Sequence, residues 1–350
     1  KADVPEPSGP TMDLTATNIV IATGAKPRPL PGNPFAGALI DSTQALEVNE
    51  FPSSAVIIGA GAIALEFASM WNAAGSKVTL LIRKDRVLSA WDRRAGTTLT
   101  RELKRHGVNI ITRASVTHVD TGANLGATVH YTREGQDGEQ SVWGEIALVA
   151  IGRDPITDPA WGVTIDDHGH VATDAYGRTD KPGVWAVGDV TAGHALAHRA
   201  FEQGIVIAET IAGLNPKPVD EATVPQIVFS FPEAASVGLT VEQAQAREDL
   251  IEIKETNYPM LANARMLMSG TAGSLTIVSG CDAANPDTPR VLGVHMVSQM
   301  ASDIIAEAEQ LVGNHVPLAD AARLVHPHPT FSETLGEALL KADGRPLHTR

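Results

Sequence analysis

The stretch Ala55-Val56-Ile57-Ile58-Gly59-Ala60-Gly61-Ala62-Ile63-Ala64 decides how the central part of this chain folds. Its first four residues form a short apolar run that predicts a β-strand, and a Gly-x-Gly-x-x-Ala turn follows directly. Apolar residues then recur at helical spacing from Ile63 to Met70, before a second apolar run over residues 77–82. Strand, turn, helix and strand in this order predict a βαβ unit.

The glycine turn lies where a dinucleotide-binding loop is expected, after a strand and at the start of a helix. Gly59 and Gly61 permit a tight turn and the close approach of a pyrophosphate, to which the helix N-terminus offers N–H groups and the positive end of its dipole. Ala64 fills the third position, where alanine is an accepted variant. We therefore predict that these three residues bind a nicotinamide nucleotide, rather than form a merely structural turn.

The end of the second strand bears on which nicotinamide nucleotide binds. An acid at this point holds the ribose 2′-hydroxyl of NAD, whereas a basic residue accommodates the 2′-phosphate of NADP. Here Ile82 is followed by Arg83 and Lys84, and the first acid is Asp85. The adjacent cations favour NADP. In the alternative, they form a solvated surface pair and Asp85 reaches the ribose of NAD.

A second nucleotide motif is Thr179-Asp180-Lys181-Pro182-Gly183-Val184-Trp185-Ala186-Val187-Gly188-Asp189. Its apolar part, residues 184–187, predicts a buried strand. The Gly188-Asp189 turn at the end of that strand would let a carboxylate reach past a glycine to a ribityl or ribose hydroxyl. A Gly-Asp turn alone is commonplace, so the flanking residues give this motif its specificity.

Composition and charge exclude several classes of protein. With 43% apolar and 19% charged residues, the 350-residue chain is typical of globular domains and not of a disordered protein. The net charge of -14 argues against nucleic acid or an anionic membrane as the main partner, and no apolar run approaches the ~20 residues of a membrane helix.

Cys281 is the only cysteine and has no basic neighbour, so it predicts neither an intrachain disulfide nor a reactive thiol. No metal site is predicted.

The segment His326-Pro327-His328-Pro329-Thr330-Phe331-Ser332-Glu333 places a histidine and a carboxylate five residues apart around a proline turn. This spacing can hold an imidazole in one orientation and tautomer, which suits proton transfer near neutral pH. Two histidines in a proline-rich turn can equally be structural, and the segment alone does not decide between these alternatives.

Taken together, these motifs resemble the pyridine nucleotide-disulfide oxidoreductases, and within them the dihydrolipoamide dehydrogenases. The His-Pro that precedes His328 favours the lipoamide branch over the glutathione reductases. The matching segments run along the whole chain and are residues 21–25, 59–66, 179–189, 196–204, 231–238 and 326–333.

The resemblance implies a role for each matching residue. His328 would be the base that takes up a thiol proton, and Glu333 would orient it and stabilise its charged form. His326 is assigned a structural role. Flavin or nicotinamide nucleotide contacts are assigned to Thr23, Gly24, Gly59, Gly61, Ala64, Glu66, Arg83, Lys84, Gly152, Gly188, Asp189, Ala197 and His198.

The resemblance also implies an α/β architecture with Rossmann-type nucleotide-binding domains. Residues 1–48 and 151–218 are assigned to an incomplete FAD-binding domain, into which residues 49–150 are inserted as the NAD(P)-binding domain. A helix is predicted over residues 99–106 of the inserted domain. Residues 222–350 are assigned to an α+β dimerisation domain, in which strand-like runs precede helices predicted over residues 302–312 and 318–324.

The enzyme implied by the resemblance is a homodimeric flavoprotein that oxidises a lipoyl-type dithiol. Dihydrolipoamide would attack a redox disulfide, and electrons would pass to FAD and then, as hydride, to NAD or NADP. Dimerisation through the residues after about 222 would bring His328 to the active site of the opposite subunit. The cytoplasm is the expected location.

The chain departs from the family in two respects. It has neither a Gly-x-Gly-x-x-Gly flavin loop nor a Cys-x-x-x-x-Cys pair, so we expect the N-terminal part of the parent enzyme to be absent and FAD not to be retained. Arg83 and Lys84 stand where the lipoamide branch usually carries an acid. Two alternatives stay open: an NADPH-dependent flavin reductase of another disulfide, a quinone or a metal ion, and an inactive, dimerising nucleotide-binding fragment.

Overall fold

The computed structural model describes residues 14–122 and 126–349. The strands of these residues are β1 Ile19–Ile21, β2 Ala25–Pro27, β3 Leu39–Ile40, β4 Ser54–Ile58, β5 Lys77–Leu81, β6 Asn109–Ile111, β7 Ala114–Asp120, β8 Ala127–Arg133, β9 Gln140–Gly144, β10 Ile146–Val149, β11 Arg153–Pro155, β12 Val184–Ala186, β13 Gln226–Val228, β14 Glu233–Gly238, β15 Leu250–Pro259, β16 Ser274–Asp282 and β17 Asn285–Ser298. The helices are α1 Ser42–Leu46, α2 Ala62–Ala73, α3 Arg93–Arg105, α4 Ala197–Ile211, α5 Val241–Gln245, α6 Ala264–Ser269, α7 Ala301–Gly313, α8 Leu318–Ala321 and α9 Glu333–Ala342. Among these helices, none combines the length and apolarity of a membrane span.

The described residues form two compact units, each built from two separate stretches of the chain. The first unit contains residues 14–26 and 154–219, and the second contains residues 27–122, 126–153 and 220–349. The mixed α/β fold class is confirmed. The three domain boundaries given above, and the cytoplasmic location, stay predictions.

In the first unit, a pair of parallel strands leads to the Gly-Asp motif. β1 and β12 pair in parallel, with Ile21 opposite Ala186. Both side chains are buried in one apolar cluster. Directly after β12 comes a short 3-10 turn over Gly188–Val190, and α4 follows. This order places Asp189 beyond the carboxyl end of a buried strand.

The second unit contains the predicted βαβ element within a parallel sheet of order β3-β10-β4-β5-β6. Side chains of β4 alternate between the two faces of this sheet. Ile57 packs in a cluster with apolar side chains of α2 and α3, whereas Val56 and Ile58 pack against the antiparallel meander β7-β8-β9. Both faces are covered, which explains the uninterrupted apolar run in the sequence.

Helix α3 begins at Arg93, so the prediction that it spans residues 99–106 was wrong about its start. The Asp92 side chain accepts the N–H of Ala95 at 2.7 Å and thereby caps the helix. An aspartate in this position satisfies one of the free N–H groups of the first turn. The capping residue lies seven positions before Leu99, where the predicted helix begins.

The C-terminal part of the same unit is an antiparallel sheet of order β13-β14-β17-β16-β15, against which helices pack. Apolar residues of α7, α8 and α9 share a buried cluster with the sheet. Val228, Ala234 and Val297 join the cluster that includes α2 and α3, and Ser274 donates a hydrogen bond to Thr98 at 3.1 Å. The Rossmann part and the C-terminal part of this unit are therefore packed together.

Candidate active site

His328 and Glu333 form a hydrogen-bonded pair at the start of α9. Nδ1 of His328 lies 2.7 Å from Oε1 of Glu333, and Oε2 of Glu333 accepts the backbone N–H of Thr330 at 2.8 Å. The side chain of His328 is 72% exposed, whereas that of Glu333 is 20% exposed. Glu333 therefore holds one ring nitrogen, and an imidazole held in this way is able to exchange a proton through Nε2.

The surroundings of Glu333 keep its carboxylate charged. Partial burial alone acts to raise its pKa, but the hydrogen bonds from the Thr330 N–H and from His328 outweigh this effect. The pKa of Glu333 therefore lies below its usual value. Because the carboxylate stays ionised in the neutral pH range, it favours the ring tautomer with its proton on Nδ1.

His326 has a different environment from His328. Its side chain is 9% exposed, and Nε2 lies 2.9 Å from Oε1 of Glu307 on α7. The hydrogen bond with Glu307 raises the pKa of His326 despite partial burial. The ring also packs closely on α9, because a Cβ added to Gly336 would lie 2.4 Å from Nδ1. These contacts support the structural role that we predict for His326.

The loop between β4 and α2 places Gly59 and Gly61 in contrasting environments. Gly59 has a φ of +146°, and an added Cβ would lie 2.2 Å from the backbone oxygen of Ala150, so only glycine fits. Gly61 is the N-cap of α2 and provides no side-chain cap. Apart from its chain neighbours, no described residue comes within 4 Å of a Cβ built on Gly61. Ala64 is fully buried beside Gly59. The open N-terminus of α2 thus fits a pyrophosphate group.

The two cations predicted to bind a phosphate come directly after β5 and Ile82. Arg83 and Lys84 are exposed, and Asp85, the alternative ribose ligand, lies 3.3 Å from the guanidinium of Arg86. Next along the surface is a basic cavity of about 390 Å³ with four cations and one carboxylate. It is lined by Asp85, Arg86, Arg93, Thr97, Thr100, Arg101 and Lys104. This excess of positive charge favours an anionic ligand.

Glu66 and Gly152 both make structural contacts within the second unit. Oε1 of Glu66, on α2, accepts the backbone N–H of Phe229 at 3.0 Å and so joins the Rossmann part to the C-terminal part. Gly152 has a φ of +140°, which favours glycine, and its backbone oxygen accepts the N–H of Arg28 at 3.0 Å. Cofactor binding by these two residues stays a prediction.

The first unit holds the residues assigned to the flavin at two turns. Gly24 follows β1 with a φ of +70°, and apart from its chain neighbours no described residue lies within 4 Å of a Cβ built on it. The hydroxyl of Thr23 donates to the backbone oxygen of Ile156 at 2.7 Å. Gly188 has a φ of +77°, and its N–H donates to Oε1 of Gln203 on α4 at 3.0 Å. The open backbone at Gly24 and the left-handed turn at Gly188 fit the close approach of a cofactor.

The remaining flavin assignments lie beside the second of these turns. Asp189 is half-buried in the 3-10 turn after β12, and Ala197 and His198 are exposed in the first turn of α4. Leu196 is the N-cap of α4 and provides no side-chain cap. Flavin binding by Asp189, Ala197 and His198 stays a prediction.

Comparison with known proteins identifies the family. The sequence pattern of the family described as pyridine nucleotide-disulphide oxidoreductase matches residues 2–204. The pattern of the dimerisation domain of the same family matches residues 224–339.

The chain belongs to the pyridine nucleotide-disulphide oxidoreductase family.

Its curated relatives in this family include several dihydrolipoyl dehydrogenases. The dihydrolipoyl dehydrogenase of Cupriavidus necator is 38% identical over 341 residues, which are 96% of this chain and 70% of the relative. One from Bacillus subtilis is 36% identical with the same coverage. The predicted resemblance to dihydrolipoamide dehydrogenases is confirmed.

Solved structures of the family show the same fold. LpdA from Mycobacterium tuberculosis is 27% identical and superposes with a TM-score of 0.82, over 93% of this chain and 69% of that one. The HOCl-induced flavoprotein disulfide reductase RclA from Escherichia coli is also 27% identical, with a TM-score of 0.80 over 92% and 73% of the two chains. A Cu(II) complex of RclA has a TM-score of 0.81.

Pyridine nucleotide-disulphide oxidoreductases of this kind are enzymes that use FAD and NAD(P). The only cysteine of the chain, Cys281, is fully buried on β16, and burial raises the pKa of its thiol. A buried thiol with a raised pKa is a poor nucleophile. Cys281 therefore does not provide the redox sulfur of this family, in agreement with the sequence analysis.

The structure brings His328 and Glu333 together as predicted, but it also shows contacts that the sequence analysis missed. Glu307 is the partner of His326, and Gln203 holds the backbone of Gly188. Glu307 lies outside the matching segments, and Gln203 lies within segment 196–204 without an assigned role. Their positions on the inner faces of α7 and α4 become evident only once these helices are packed.

Proposed function

We propose that this chain is part of a flavin-dependent oxidoreductase that oxidises dihydrolipoamide and passes hydride to NAD(P)+. The observation that carries the proposal is the His328–Glu333 pair, in which an exposed imidazole is held through Nδ1 by an ionised carboxylate. The identity of 36–38% to dihydrolipoyl dehydrogenases over nearly the whole chain supports the same substrate class.

In the proposed proton step, Nε2 of His328 takes the proton of a substrate thiol. The resulting thiolate forms a bond with one sulfur of a redox disulfide, and the other sulfur leaves as a thiolate. The second substrate thiol then gives its proton to the thiolate that left in the first step, and its sulfur attacks the substrate sulfur of the mixed disulfide. This closes the oxidised substrate ring and releases the other redox sulfur as a thiolate, which balances the charge of the His328 imidazolium. Glu333 stabilises the imidazolium throughout, as the carboxylate does in other His–carboxylate pairs.

This step requires two redox cysteines, whereas the chain has one, which is buried. The proposal therefore requires that the disulfide comes from outside these 350 residues. We call the enzyme that unites this chain with such a disulfide and with FAD the holoenzyme. FAD, when bound, supplies the electron transfer between dithiol and nicotinamide. Gly24, Gly188 and Asp189 would hold it in the first unit.

We further propose that the holoenzyme is a homodimer in which His328 serves the active site of the other subunit. The dimerisation domain of the family is present over residues 224–339. Exposed apolar side chains support an interface close to the active-site histidine: Leu324 and Val325 are 50% and 95% exposed, and Leu267 and Met268 on α6 are 63% and 73% exposed. Covering these side chains would stabilise a dimer.

We propose NADP as the preferred nicotinamide nucleotide. Two exposed cations, Arg83 and Lys84, follow β5, the neighbouring cavity is basic, and Asp85 faces Arg86. These features support a 2′-phosphate more than a free 2′-hydroxyl.

The double variant Arg83→Ala/Lys84→Ala is expected to lower the preference for NADPH over NADH at least about tenfold, or ~1.4 kcal/mol. The measurement is the dissociation constant of each reduced nucleotide, by fluorescence titration. Lys77→Ala is the matched control, because Lys77 is an exposed cation at the other end of β5. This variant should leave the ratio of the two dissociation constants unchanged. A wild-type protein that prefers NADH, or an unchanged ratio in the double variant, contradicts the proposal.

A second candidate is an NADPH-dependent flavin reductase of another disulfide, a quinone or a metal ion. Arg83 and Lys84 favour it, as does the similarity to RclA, whose structure is known as a Cu(II) complex. The His328–Glu333 pair favours the dithiol reaction instead, because reduction of a quinone or a metal ion needs no thiol base. A third candidate, an inactive nucleotide-binding and dimerising fragment, is contradicted if the 350-residue chain alone binds FAD stoichiometrically.

A further inference from the structure

The antiparallel meander β7-β8-β9 carries a group of side chains that the proposed function does not use. A β-bulge at Thr117 shifts the alternation of β7, because Val116 pairs with Tyr131 and His118 already pairs with the adjacent His130. Val116 faces the core before the bulge. After the bulge, His118 lies on the exposed face instead. A bulge that redirects a side chain in this way is frequently found beside functional sites.

Two imidazoles and two carboxylates meet on this exposed face. The rings of His118 and His130 are stacked, with centroids 4.0 Å apart and planes 8° apart. Nε2 of His130 lies 3.1 Å from Oδ2 of Asp120, and Nε2 of His118 lies 3.9 Å from the same oxygen. On the other side, Nδ1 of each ring faces one oxygen of Glu139, at 3.8 Å for His118 and 3.7 Å for His130.

This arrangement brings together the donor groups of a metal-binding histidine pair. Both Nε2 atoms lie on the side of Asp120, and Glu139 lies at the Nδ1 edge of both rings. When a metal ion replaces the proton on Nε2, Glu139 can accept an Nδ1–H and so support the tautomer that has its lone pair on Nε2. Second carboxylates behind metal-bound imidazoles have this effect in zinc sites. The two carboxylates on this face also attract a cation.

We propose that His118, His130 and Asp120 form a binding site for a divalent transition-metal ion of the zinc type. Their three potential ligand atoms lie within 4.8 Å of one another, and imidazole with carboxylate suits zinc, nickel and copper. Zinc ligands lie ~2.0–2.2 Å from the ion, and the two rings are stacked nearly parallel. Binding therefore requires at least one ring to rotate out of the stack until both Nε2 lone pairs point to the same ion. The side chains of His118, His130 and Asp120 are 46%, 22% and 65% exposed, which leaves room for that rotation.

The metal would take the place of the proton between His130 and Asp120 and would tie β7 to β8. Because the three side chains come from neighbouring strands of one meander, binding needs no other part of the protein. The site therefore stands independently of the proposed dithiol reaction.

The test is a titration of the 350-residue chain with ZnCl₂ by isothermal calorimetry, together with thermal unfolding with and without the metal. We expect one Zn(II) per chain and a higher melting temperature in its presence. His118→Ala and His130→Ala should each weaken binding more than about tenfold, and Asp120→Asn should weaken it less. His168→Ala is the control, since His168 is an exposed histidine outside the meander.

Unfolding without metal shows whether each variant is folded, because the substitutions lie on an exposed face and should leave the metal-free melting temperature nearly unchanged. Absence of binding by the folded wild-type chain overturns the proposal. So does binding that persists undiminished in His118→Ala and His130→Ala.

Discussion

Replacing His328 with glutamine is expected to lower kcat for dihydrolipoamide oxidation by the holoenzyme about 10²–10⁴-fold, the usual contribution of a positioned general base. Glutamine can still donate a hydrogen bond to Glu333, but it cannot accept the thiol proton. The measurement is the steady-state reduction of NAD(P)+ with dihydrolipoamide as the electron donor. Reduction of an artificial quinone by NAD(P)H should be nearly unchanged in the same variant, because that reaction needs no thiol base.

His348→Gln is a matched control for this substitution. Nδ1 of His348 lies 2.8 Å from Oε1 of Glu337 on the same helix α9, and the His348 side chain is 63% exposed. The chain thus contains a second exposed His–Glu pair that has no proposed catalytic role. Glu333→Gln should cause a smaller loss than His328→Gln, because the base remains while its orienting charge is removed. Full dithiol activity in His328→Gln would show that another group is the base.

Replacing Gly61 with alanine is expected to weaken NAD(P)H binding at least about tenfold, or ~1.4 kcal/mol, while the protein stays folded. Gly61 has a φ of −91°, which alanine adopts easily, and no described residue beyond its chain neighbours comes within 4 Å of the added methyl group. The free energy of unfolding should therefore change by less than about 1 kcal/mol. The methyl group would occupy the space that we assign to the pyrophosphate.

The neighbouring substitution Gly59→Ala should instead destabilise the folded protein. Its Cβ would lie 2.2 Å from the backbone oxygen of Ala150 at a φ of +146°, so we expect a loss of roughly 3 kcal/mol or more in stability. Thermal unfolding and fluorescence titration with NAD(P)H separate the two effects. If Gly61→Ala binds the nucleotide as tightly as the wild type, the pyrophosphate does not lie over this turn.

Much of the architecture could be predicted from the sequence because local signals and the final packing agree. The run before Gly59 is apolar on both faces, and the structure covers both faces of β4. Elements whose structure depends on packing between distant parts of the chain were predicted less well. The helix α9 was not predicted, although it carries Glu333 and buries Leu335 and Leu339. Its first residues belong to the His-Pro segment, which indicated a turn rather than a helix.

The candidate site was predictable where a single segment contains both partners. His328 and Glu333 are five residues apart, and the turn brings them within 2.7 Å of each other. Contacts between distant elements were not predictable, as with Glu307 and His326. The histidine pair of the meander was missed for another reason. A β-bulge, which has no clear sequence signature here, determines that His118 and His130 share one face.

The most direct test of the central claim is the reduction of NAD+ and NADP+ by dihydrolipoamide in the flavin-loaded holoenzyme. We predict a turnover that depends on the dithiol and lies in the ordinary enzymatic range of ~1–10³ s⁻¹, with NADP+ as the better acceptor. The opposite result is a holoenzyme that shows no dithiol-dependent reduction of either nucleotide, while NADPH reduces a quinone or Cu(II) in the same preparation. That outcome would contradict the dithiol reaction and identify the protein as a flavin reductase of another acceptor.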